Sequence, residues 1–392
     1  MHFSLARLPR IEFGPGSLAR LPDLIAPYGK RVLLVTGGSS FIDGPHGVRL
    51  AEALRRDGFT WETVRVPGEP SPALVDEAVA THRHGSFGCV VGIGGGSALD
   101  AAKAIAGLLR QGNSVMDHLE GVGPELPYHG PATPFIAVPT TAGTGSEATK
   151  NAVLSVQGAN GFKKSFRDDQ LMASVALLDP DLLATCPPAV LAANGMDAFT
   201  QLLESYVSLK ANAFTDALAL SGLQHARDAL LPWYEGRGDA AQHRADMAYA
   251  ALLSGITLAH VGLGSVHGLA APLGAFFPIP HGVVCGTLVA EATRMNLAAM
   301  QAREPTNPAL ARYAATGRLL AGAEREGEAA CAALVATLED WTRRLQLPRL
   351  REYGVREADI PRIVANSRGS SMKTNPIVLT DAEVAAVVRG RL

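Results

Sequence analysis

Signals for disulfide pairing are missing from this 392-residue chain. Its four cysteines, Cys89, Cys186, Cys285 and Cys331, lie far apart and form no CxxC pair. This pattern argues against disulfides and against a thiolate zinc site. It predicts reduced, mostly buried thiols, as expected for a cytoplasmic protein.

A strong net charge is missing as well. The formal net charge of -2 gives no electrostatic basis for binding nucleic acid or an anionic membrane surface. The N-terminal residues, MHFSLARLPRIEF, contain no continuous apolar stretch, so no signal peptide is expected. These absences predict a cytoplasmic protein that binds neither nucleic acid nor a membrane.

Charged residues are absent from the segment 247–290, which nevertheless contains His260, His267 and His281. A segment of this kind must be buried in protein or in lipid. Its glycines and prolines, and three imidazoles that need partners, argue against lipid. Two interpretations stay open from the residues alone. The segment forms the central helices of a soluble domain with its histidines satisfied in the core, or His267 and His281 hold a metal there.

Short apolar runs alternate with amphipathic segments in the first half of the chain. Strands are predicted over 31–36, 61–66, 89–93 and 134–138, and helices over 45–56, 71–84 and 97–109. The alternation predicts a parallel sheet with helices on both faces, and Ser71 is expected to cap its helix.

The pattern changes after residue 150. Short strand-like pieces over 151–179 predict a hairpin on the edge of the sheet, and after Pro187 and Pro188 only helical periodicity remains. We therefore predict an α/β N-terminal domain over 1–185 and an all-α C-terminal domain over 186–392.

Two glycine-rich loops follow predicted strands. In the first, at 94–97, the sequence GGGS can bring backbone amides and a helix N-terminus close to a phosphate, and Ser97 can cap the helix or donate to the anion. It is not the GxGxxG fingerprint, which excludes a simple Rossmann assignment. The second loop, at 139–147, places four hydroxyl groups after a strand, where ligands of open α/β sheets bind. Ordinary turns and caps are the structural alternative.

Motifs along nearly the whole chain resemble the iron-dependent (group III) alcohol dehydrogenases, relatives of glycerol dehydrogenase and dehydroquinate synthase. The matching segments are IEFGPGSL at 11–18, GGGSALDAAK at 94–103, VPTTAGTGSEAT at 138–149, LLDPDLL at 177–183, GMDAFTQLLESY at 195–206, GLGSVHGLAAPLG at 262–274, PIPHG at 278–282 and SSMKTNP at 370–376. The resemblance implies a dehydroquinate synthase-like fold, in which the α/β domain is a Rossmann-like variant that binds the dinucleotide. It also implies NAD(H) or NADP(H) in a cleft between two domains, a divalent metal (Fe²⁺ or Zn²⁺) in the helical domain, and a homodimer.

The resemblance also implies cofactor-binding residues. The pyrophosphate is expected on Gly95, Gly96 and Ser97, and the path to the nicotinamide along Thr140, Thr141 and Thr144. Lys163 matches the cofactor-side lysine of the family, and Asn151 matches a polar residue near the nicotinamide. Asp100 and Lys103 belong to the same motif and are interpreted as helix-surface or structural residues.

One departure from the family concerns the choice of cofactor. Many members that prefer NAD have an Asp just after the first strand, where it meets the ribose 2′-hydroxyl. Here that position is Gly37, followed by Gly38 and Ser39. Because no carboxylate repels a 2′-phosphate at this position, and amides and hydroxyls can donate to it, we predict that NADP(H) is accepted and preferred.

The metal ligands implied by the resemblance are Asp197, Gln201, His267 and His281, at positions where the family has Asp, His, His and His. Asp197 and Gln201 are four residues apart and face the same way on a helix. A neutral amide oxygen is a poorer ligand than an imidazole for iron or zinc, so Gln201 is expected to be a weak ligand or a nearby donor. Asp197, His267 and His281 form the set expected to act in catalysis, with a position left open.

A second departure is Ala271, four residues after His267, where many members have a histidine proposed as a proton relay. Ala271 cannot carry a proton, so the relay must use water, the cofactor ribose or a group of the substrate. His260 is interpreted as a core histidine. Phe276, Phe277 and Ile279, close in sequence to His281, favour a partly apolar substrate.

The sequence therefore predicts a metal-dependent NAD(P)(H) oxidoreductase that interconverts a small or medium alcohol and its aldehyde or ketone. One alternative is a cyclase or lyase like dehydroquinate synthase, with transient redox chemistry; few basic residues surround the histidine motifs, which disfavours its phosphate-rich type of substrate. The other is a member that has lost catalysis and binds cofactor only, as Gln201 and Ala271 suggest.

Overall fold

The computed structural model describes residues 3–392, which form two compact units. The α/β unit comprises Leu5–Val156 and Lys163–Cys186. The helical unit comprises Gln157–Phe162 and Pro187–Leu392, together with residues 3–4.

A parallel six-stranded sheet forms the centre of the α/β unit. The strands along the described chain are β1 Arg10–Phe13, β2 Arg31–Thr36, β3 Thr60–Arg65, β4 Cys89–Gly94, β5 Phe135–Pro139, β6 Asn151–Val156, β7 Phe162–Arg167 and β8 Val175–Leu178. Of these, β6 and β7 lie outside the six-stranded sheet. The α-helices of this unit are α1 Leu21–Ile25, α2 Ser39–Ile42, α3 Pro45–Arg56, α4 Pro72–His82 and α5 Gly96–Leu108. Ser71 caps α4, as predicted, because its hydroxyl accepts from the amide of Leu74.

The strand order in the sheet is β1-β8-β5-β4-β2-β3, and every pairing is parallel. The chain runs outward from β2 to β3, then returns to place β4 on the other side of β2. This reversal between β2 and β4 is the kind of switch point at which open α/β sheets bind ligands. The predicted parallel sheet is confirmed.

The interpretation of 151–179 as a hairpin on the sheet edge is wrong. Strands β6 and β7 form a separate two-stranded sheet, whereas β8 is inserted between β1 and β5 within the main sheet. Both β1 and β8 have only four residues, too few for periodicity to show that they pair with each other. Their pairing depends on a contact between segments that are far apart in the chain.

Asp179 connects two of the sequence motifs to each other. Its buried carboxylate accepts hydrogen bonds from the amides of Gly16, Leu18 and Asp181, each at 3.0 Å. Gly16 has a φ of +73°, a conformation that favours glycine. The segments IEFGPGSL and LLDPDLL are therefore held together by one carboxylate, beside the β1–β8 pair.

Lys103 is completely buried in α5, so the helix-surface interpretation of this residue is wrong and the structural one applies. Its Nζ lies 2.8 to 3.0 Å from four oxygens: the carbonyl and hydroxyl of Ser146, the hydroxyl of Thr149 and the carbonyl of Asn151. Asp100, one turn before, accepts from the Ser146 hydroxyl at 2.5 Å and from the amide of Val153 at 3.1 Å. Burial lowers the pKa of Lys103, an effect that the neighbouring Asp100 opposes.

We predict that Lys103→Met destabilises the α/β unit by about 3–5 kcal/mol, because it leaves a buried carboxylate and several oxygens without their cation. Urea denaturation followed by circular dichroism measures this change. The control is Lys150→Met, which removes a partly exposed pair with Asp169 and is expected to cost about 1 kcal/mol or less. Equal losses for the two variants would contradict the prediction.

The second half of the described chain is helical, as predicted, and contains no strand after residue 186 within 3–392. Its α-helices are α6 Pro188–Val207, α7 Ala213–Tyr234, α8 Ala240–Val261, α9 Ser265–Phe276, α10 His281–Arg303, α11 Ala309–Ala321, α12 Gly327–Arg344, α13 Ile360–Ala365 and α14 Asp381–Arg389. Much of α6, α8, α9 and α10 is buried, which accounts for the uncharged segment 247–290.

Among residues 3–392, no single helix has the length and apolar character needed to cross a membrane. Helices α8 and α9 meet these criteria only as a pair, and they bend by 99° at the break between them.

Candidate metal centre and cofactor loops

Three loops lie side by side at one edge of the sheet in the α/β unit. They follow β2, β4 and β5, which are neighbours, and parallel strands end at the same edge. The amide of Gly37 donates to the carbonyl of Ile93 at 3.2 Å, and that of Thr140 donates to the carbonyl of Gly94 at 2.9 Å. The structure thus brings together the predicted cofactor segments 37–39, 94–97 and 140–144.

The glycines of the 94–97 loop are required by the approach of the neighbouring loop. A Cβ on Gly96 would lie 2.6 Å from Oγ1 of Thr144, and one on Gly95 would lie 3.2 Å from Oγ1 of Thr141. Helix α5 begins at Gly96, and its N-cap is Gly95 without a side-chain hydrogen bond. Capping by Ser97 is therefore wrong, and its hydroxyl lies in the first turn, where backbone amides can bind an anion.

The position expected to read the ribose 2′-group is open. A Cβ added to Gly37 or Gly38 would meet no atom within 4 Å, and Ser39 begins helix α2 directly after them. The loop presents backbone amides, a hydroxyl and the N-terminus of a short helix, without a carboxylate at 37–40.

Lys163 and Asn151, both expected near the nicotinamide, have defined partners within the α/β unit. Nζ of Lys163 lies 2.6 Å from Oε1 of Glu69, whose Oε2 accepts from Ser155 at 2.9 Å. The carbonyl of Asn151 accepts from Lys103. Glu69 was not found from the sequence, where it lies in a Pro-rich segment before α4 and shows no motif of its own.

Four possible metal ligands converge within the helical unit: Asp197 from α6, His267 from α9, and His281 and Cys285 from α10. Oδ1 of Asp197 lies 3.3 Å from Nε2 of His267 and 3.7 Å from Nε2 of His281. One donor atom from each of the four residues lies within 4.8 Å of all the others. The structure therefore brings together three of the ligands predicted from the sequence.

Asp197 has the properties of a ligand for a cation. Its side chain is buried, and Oδ2 has no hydrogen-bond partner among residues 3–392. Burial opposes ionisation, but His281 and His267 outweigh it and hold the pKa of Asp197 well below its usual range. A buried, ionised carboxylate with an unsatisfied oxygen costs free energy unless a cation or donor meets it, so these residues fit the divalent metal that the family resemblance implies.

Glu204, two turns after Asp197 on α6, fixes the orientation of His267. Its Oε2 accepts from Nδ1 of His267 at 2.6 Å, and its Oε1 accepts from the amide of Val266 at 2.7 Å. Because Nδ1 is held by the carboxylate, Nε2 is directed towards Asp197 and Cys285. A carboxylate behind a histidine in this way is the common support of a metal ligand.

The N-terminus of α9 is held by side chains from distant parts of the chain. Asn375 accepts from the amide of Ser265 at 3.0 Å, and Thr374 donates to the carbonyl of Leu263 at 2.6 Å. A Cβ on Gly264 would lie 2.8 Å from Glu204 and 2.9 Å from Asn375, so this residue must be glycine. The segment SSMKTNP thus positions the helix that carries His267.

Gln201 makes a hydrogen bond outside the cluster of possible ligands, whereas Cys285 lies within it. The carboxamide oxygen of Gln201 accepts from the hydroxyl of Ser254 on α8 at 3.0 Å. Cys285, interpreted above as a buried thiol, has its Sγ 3.5 Å from Nε2 of His267 and 3.8 Å from Nε2 of His281. The signal in the sequence was its spacing of four residues from His281, which places both on one face of a helix.

The two remaining positions singled out from the sequence are Ala271 and His260. Ala271 lies on α9, one turn after His267. Nδ1 of His260 lies 2.6 Å from the carbonyl of Ile256, one turn earlier on α8, so this imidazole bonds within its own helix.

The chain is similar to known proteins over almost its whole length. Residues 9–180 match the family described as iron-containing alcohol dehydrogenase, and residues 191–392 match its C-terminal family. The chain is 30% identical to an NAD-dependent methanol dehydrogenase of Bacillus methanolicus, with 98% of each chain covered. It is also 30% identical to an NADPH-dependent butanol dehydrogenase of Clostridium saccharobutylicum, with 92% of this chain and 88% of that one covered.

Among solved structures, a 1,3-propanediol oxidoreductase is similar with a TM-score of 0.90 and 28% identity, and the match covers 100% of both chains. The chain belongs to the iron-containing alcohol dehydrogenase family. It is accordingly an NAD(P)-dependent alcohol dehydrogenase, an oxidoreductase of alcohols and aldehydes.

We predict that Glu204→Gln weakens metal binding about 10- to 100-fold, because an amide no longer fixes the tautomer and orientation of His267. Metal content after dialysis against a graded chelator series measures the loss. The control is Glu291→Gln, on α10, whose carboxylate pairs with Arg294. If Glu204→Gln retains metal like the wild type, Glu204 does not support a metal ligand.

Proposed function

We propose that this chain reduces an aldehyde or ketone with NADPH, and oxidises the corresponding alcohol with NADP⁺, using a divalent metal held by Asp197, His267 and His281. The observation that carries the proposal is the convergence of these donors around a buried Asp197 oxygen without a hydrogen-bond partner in the described chain. A homodimer and a cytoplasmic location, expected from the sequence, complete the proposal.

The bound metal would supply a Lewis acid that polarises the substrate oxygen. The chain contributes the positions of the ligands: Glu204 holds His267 in one tautomer, and α10 brings in His281 at its first residue. A bound nicotinamide would supply the hydride that the carbonyl carbon takes up in reduction, and the carbonyl oxygen would need a proton as well. Because Ala271 has no ionisable group, that proton comes through water, the cofactor ribose or the substrate.

The three loops at the sheet edge are proposed to bind the dinucleotide. The amides around Gly95, Gly96 and Ser97 would receive the pyrophosphate, since they lie at the N-terminus of α5, a 13-residue helix. Thr140, Thr141 and Thr144, with Asn151 and Lys163, would continue the site towards the nicotinamide. In this proposal Glu69 keeps Lys163 in place through their 2.6 Å ion pair.

We predict that Asp197→Ala and His267→Ala each lower kcat/KM for aldehyde reduction about a thousandfold or more, because the polarising metal is worth several kcal/mol in the transition state. NADPH binding, measured by fluorescence titration, should be unchanged. His260→Ala is the matched histidine control and should stay active. The proposal fails if both ligand variants remain active. A separate measurement excludes a cyclase with transient redox: the alcohol dehydrogenase oxidises one NADPH for each aldehyde reduced, whereas such a cyclase consumes no net NADPH.

We predict that Gly37→Asp shifts the preference from NADP(H) towards NAD(H) by about tenfold or more. A carboxylate placed about 4 Å from the 2′-phosphate is worth up to ~4 kcal/mol of repulsion near a protein surface, before screening by salt. Gly37→Asn, which has the same shape without the charge, is the control. The measurement is the ratio of kcat/KM for the two cofactors, and a strong NAD preference in the wild type would overturn the assignment.

A further inference from the structure

Four of the six separations among the converging donors fit a tetrahedral metal site. Metal–ligand distances of about 2.0–2.3 Å for oxygen, nitrogen and sulfur give ligand–ligand separations of roughly 3.3–3.7 Å in a regular tetrahedron. The observed separations are 3.3 Å and 3.7 Å from Asp197 to the two histidines, and 3.5 Å and 3.8 Å from Cys285 to the same histidines. Cys285 therefore lies where a fourth protein ligand would bind, and the substrate oxygen would join the metal as a fifth ligand, an expansion that catalytic metal sites allow.

We propose that the thiolate of Cys285 is the fourth protein ligand of the metal and that it gives the site a preference for Zn²⁺ over Fe²⁺. This inference rests on the metal site proposed above and adds a ligand and a choice of metal to it. Metal binding deprotonates a coordinating thiol. A soft thiolate favours zinc, whereas carboxylate and imidazole donors alone suit iron as well.

In this proposal Gln201 is not the fourth metal ligand. Its carboxamide oxygen, the atom that would bind a metal, accepts a hydrogen bond from Ser254 on α8. An amide oxygen is in any case the weaker donor towards these metals. With Gln201 engaged in this way, Asp197 and Cys285 are the two anionic donors, and together they balance the double charge of a buried cation.

The surroundings of Cys285 distinguish it from an ordinary core cysteine. It lies one turn after His281 on α10, so the two side chains share a face that is directed at Asp197 on α6. Cys331, also buried in the helical unit, contacts the carbonyl of Leu310 at 3.7 Å instead. It therefore serves as a matched control.

The test uses Co²⁺ as a spectroscopic probe in the full-length protein, freed of metal by a chelator. We expect the wild type and Cys331→Ala to show a near-ultraviolet thiolate-to-cobalt charge-transfer band on Co²⁺ addition. Cys285→Ser should lose the band yet keep the weaker visible bands of bound Co²⁺. In competition, Cys285→Ser should also shift the Zn²⁺/Fe²⁺ affinity ratio towards iron by at least about tenfold, since the soft donor is gone.

The outcomes separate the two proposals. Wild-type protein that binds Co²⁺ without the charge-transfer band overturns the role of Cys285 and leaves the three-ligand site in place. Wild-type protein that binds no metal overturns both. A band that persists in Cys285→Ser, or disappears in Cys331→Ala, assigns the thiolate elsewhere. A wild-type spectrum without the band decides against Cys285 whether or not the variants fold, and Cys285→Ala repeats the assignment if Cys285→Ser does not fold.

Discussion

The carboxylate of Glu204 is the constraint on which the candidate metal centre depends. One oxygen accepts from the amide of Val266 and the other from the imidazole of His267, so a single side chain of α6 fixes both the start of α9 and the ring that α9 carries. The same helix, two turns earlier, supplies Asp197. The relative positions of two donors are therefore set by one rigid helix and a pair of short hydrogen bonds, before any metal is bound.

Parallel pairing imposes the corresponding constraint on the α/β unit. Because β2, β4 and β5 are adjacent and run the same way, three loops far apart in the chain end at one edge. The glycines of the loop after β4 allow the close approach of the loop after β5, which carries Thr141 and Thr144. Buried Lys103 on α5 donates to the carbonyl of Ser146 in that second loop and so connects it to the helix. A buried Lys103 cation without partners would cost several kcal/mol of folding free energy. Asp100 and the four oxygens around Nζ of Lys103 are therefore needed together.

Much of this could be predicted from the sequence. Alternating strands and helices with known turn chemistry gave the parallel sheet, and the spacing of glycines and histidines in recognisable motifs led to the family. Other features could not be predicted, because they depend on contacts between distant segments. The pairing of β8 with β1 and the capping of α9 by Asn375 are of this kind. Glu204 belongs with them: within α6 it gives no sign that its partners begin 62 residues later.

The chain by itself determined the class of fold and the two cofactor loops, because local periodicity and turn sequences carry that information. Its resemblance to the family implied Asp197, His267 and His281 as a candidate ligand set. Only the tertiary structure decided which further side chain lies beside this set. It directs the oxygen of Gln201 to Ser254 and brings the sulfur of Cys285 beside both histidines. The reason is geometric: which atoms meet is fixed by the packing of α6, α8, α9 and α10, and that packing cannot be read from any one of these segments.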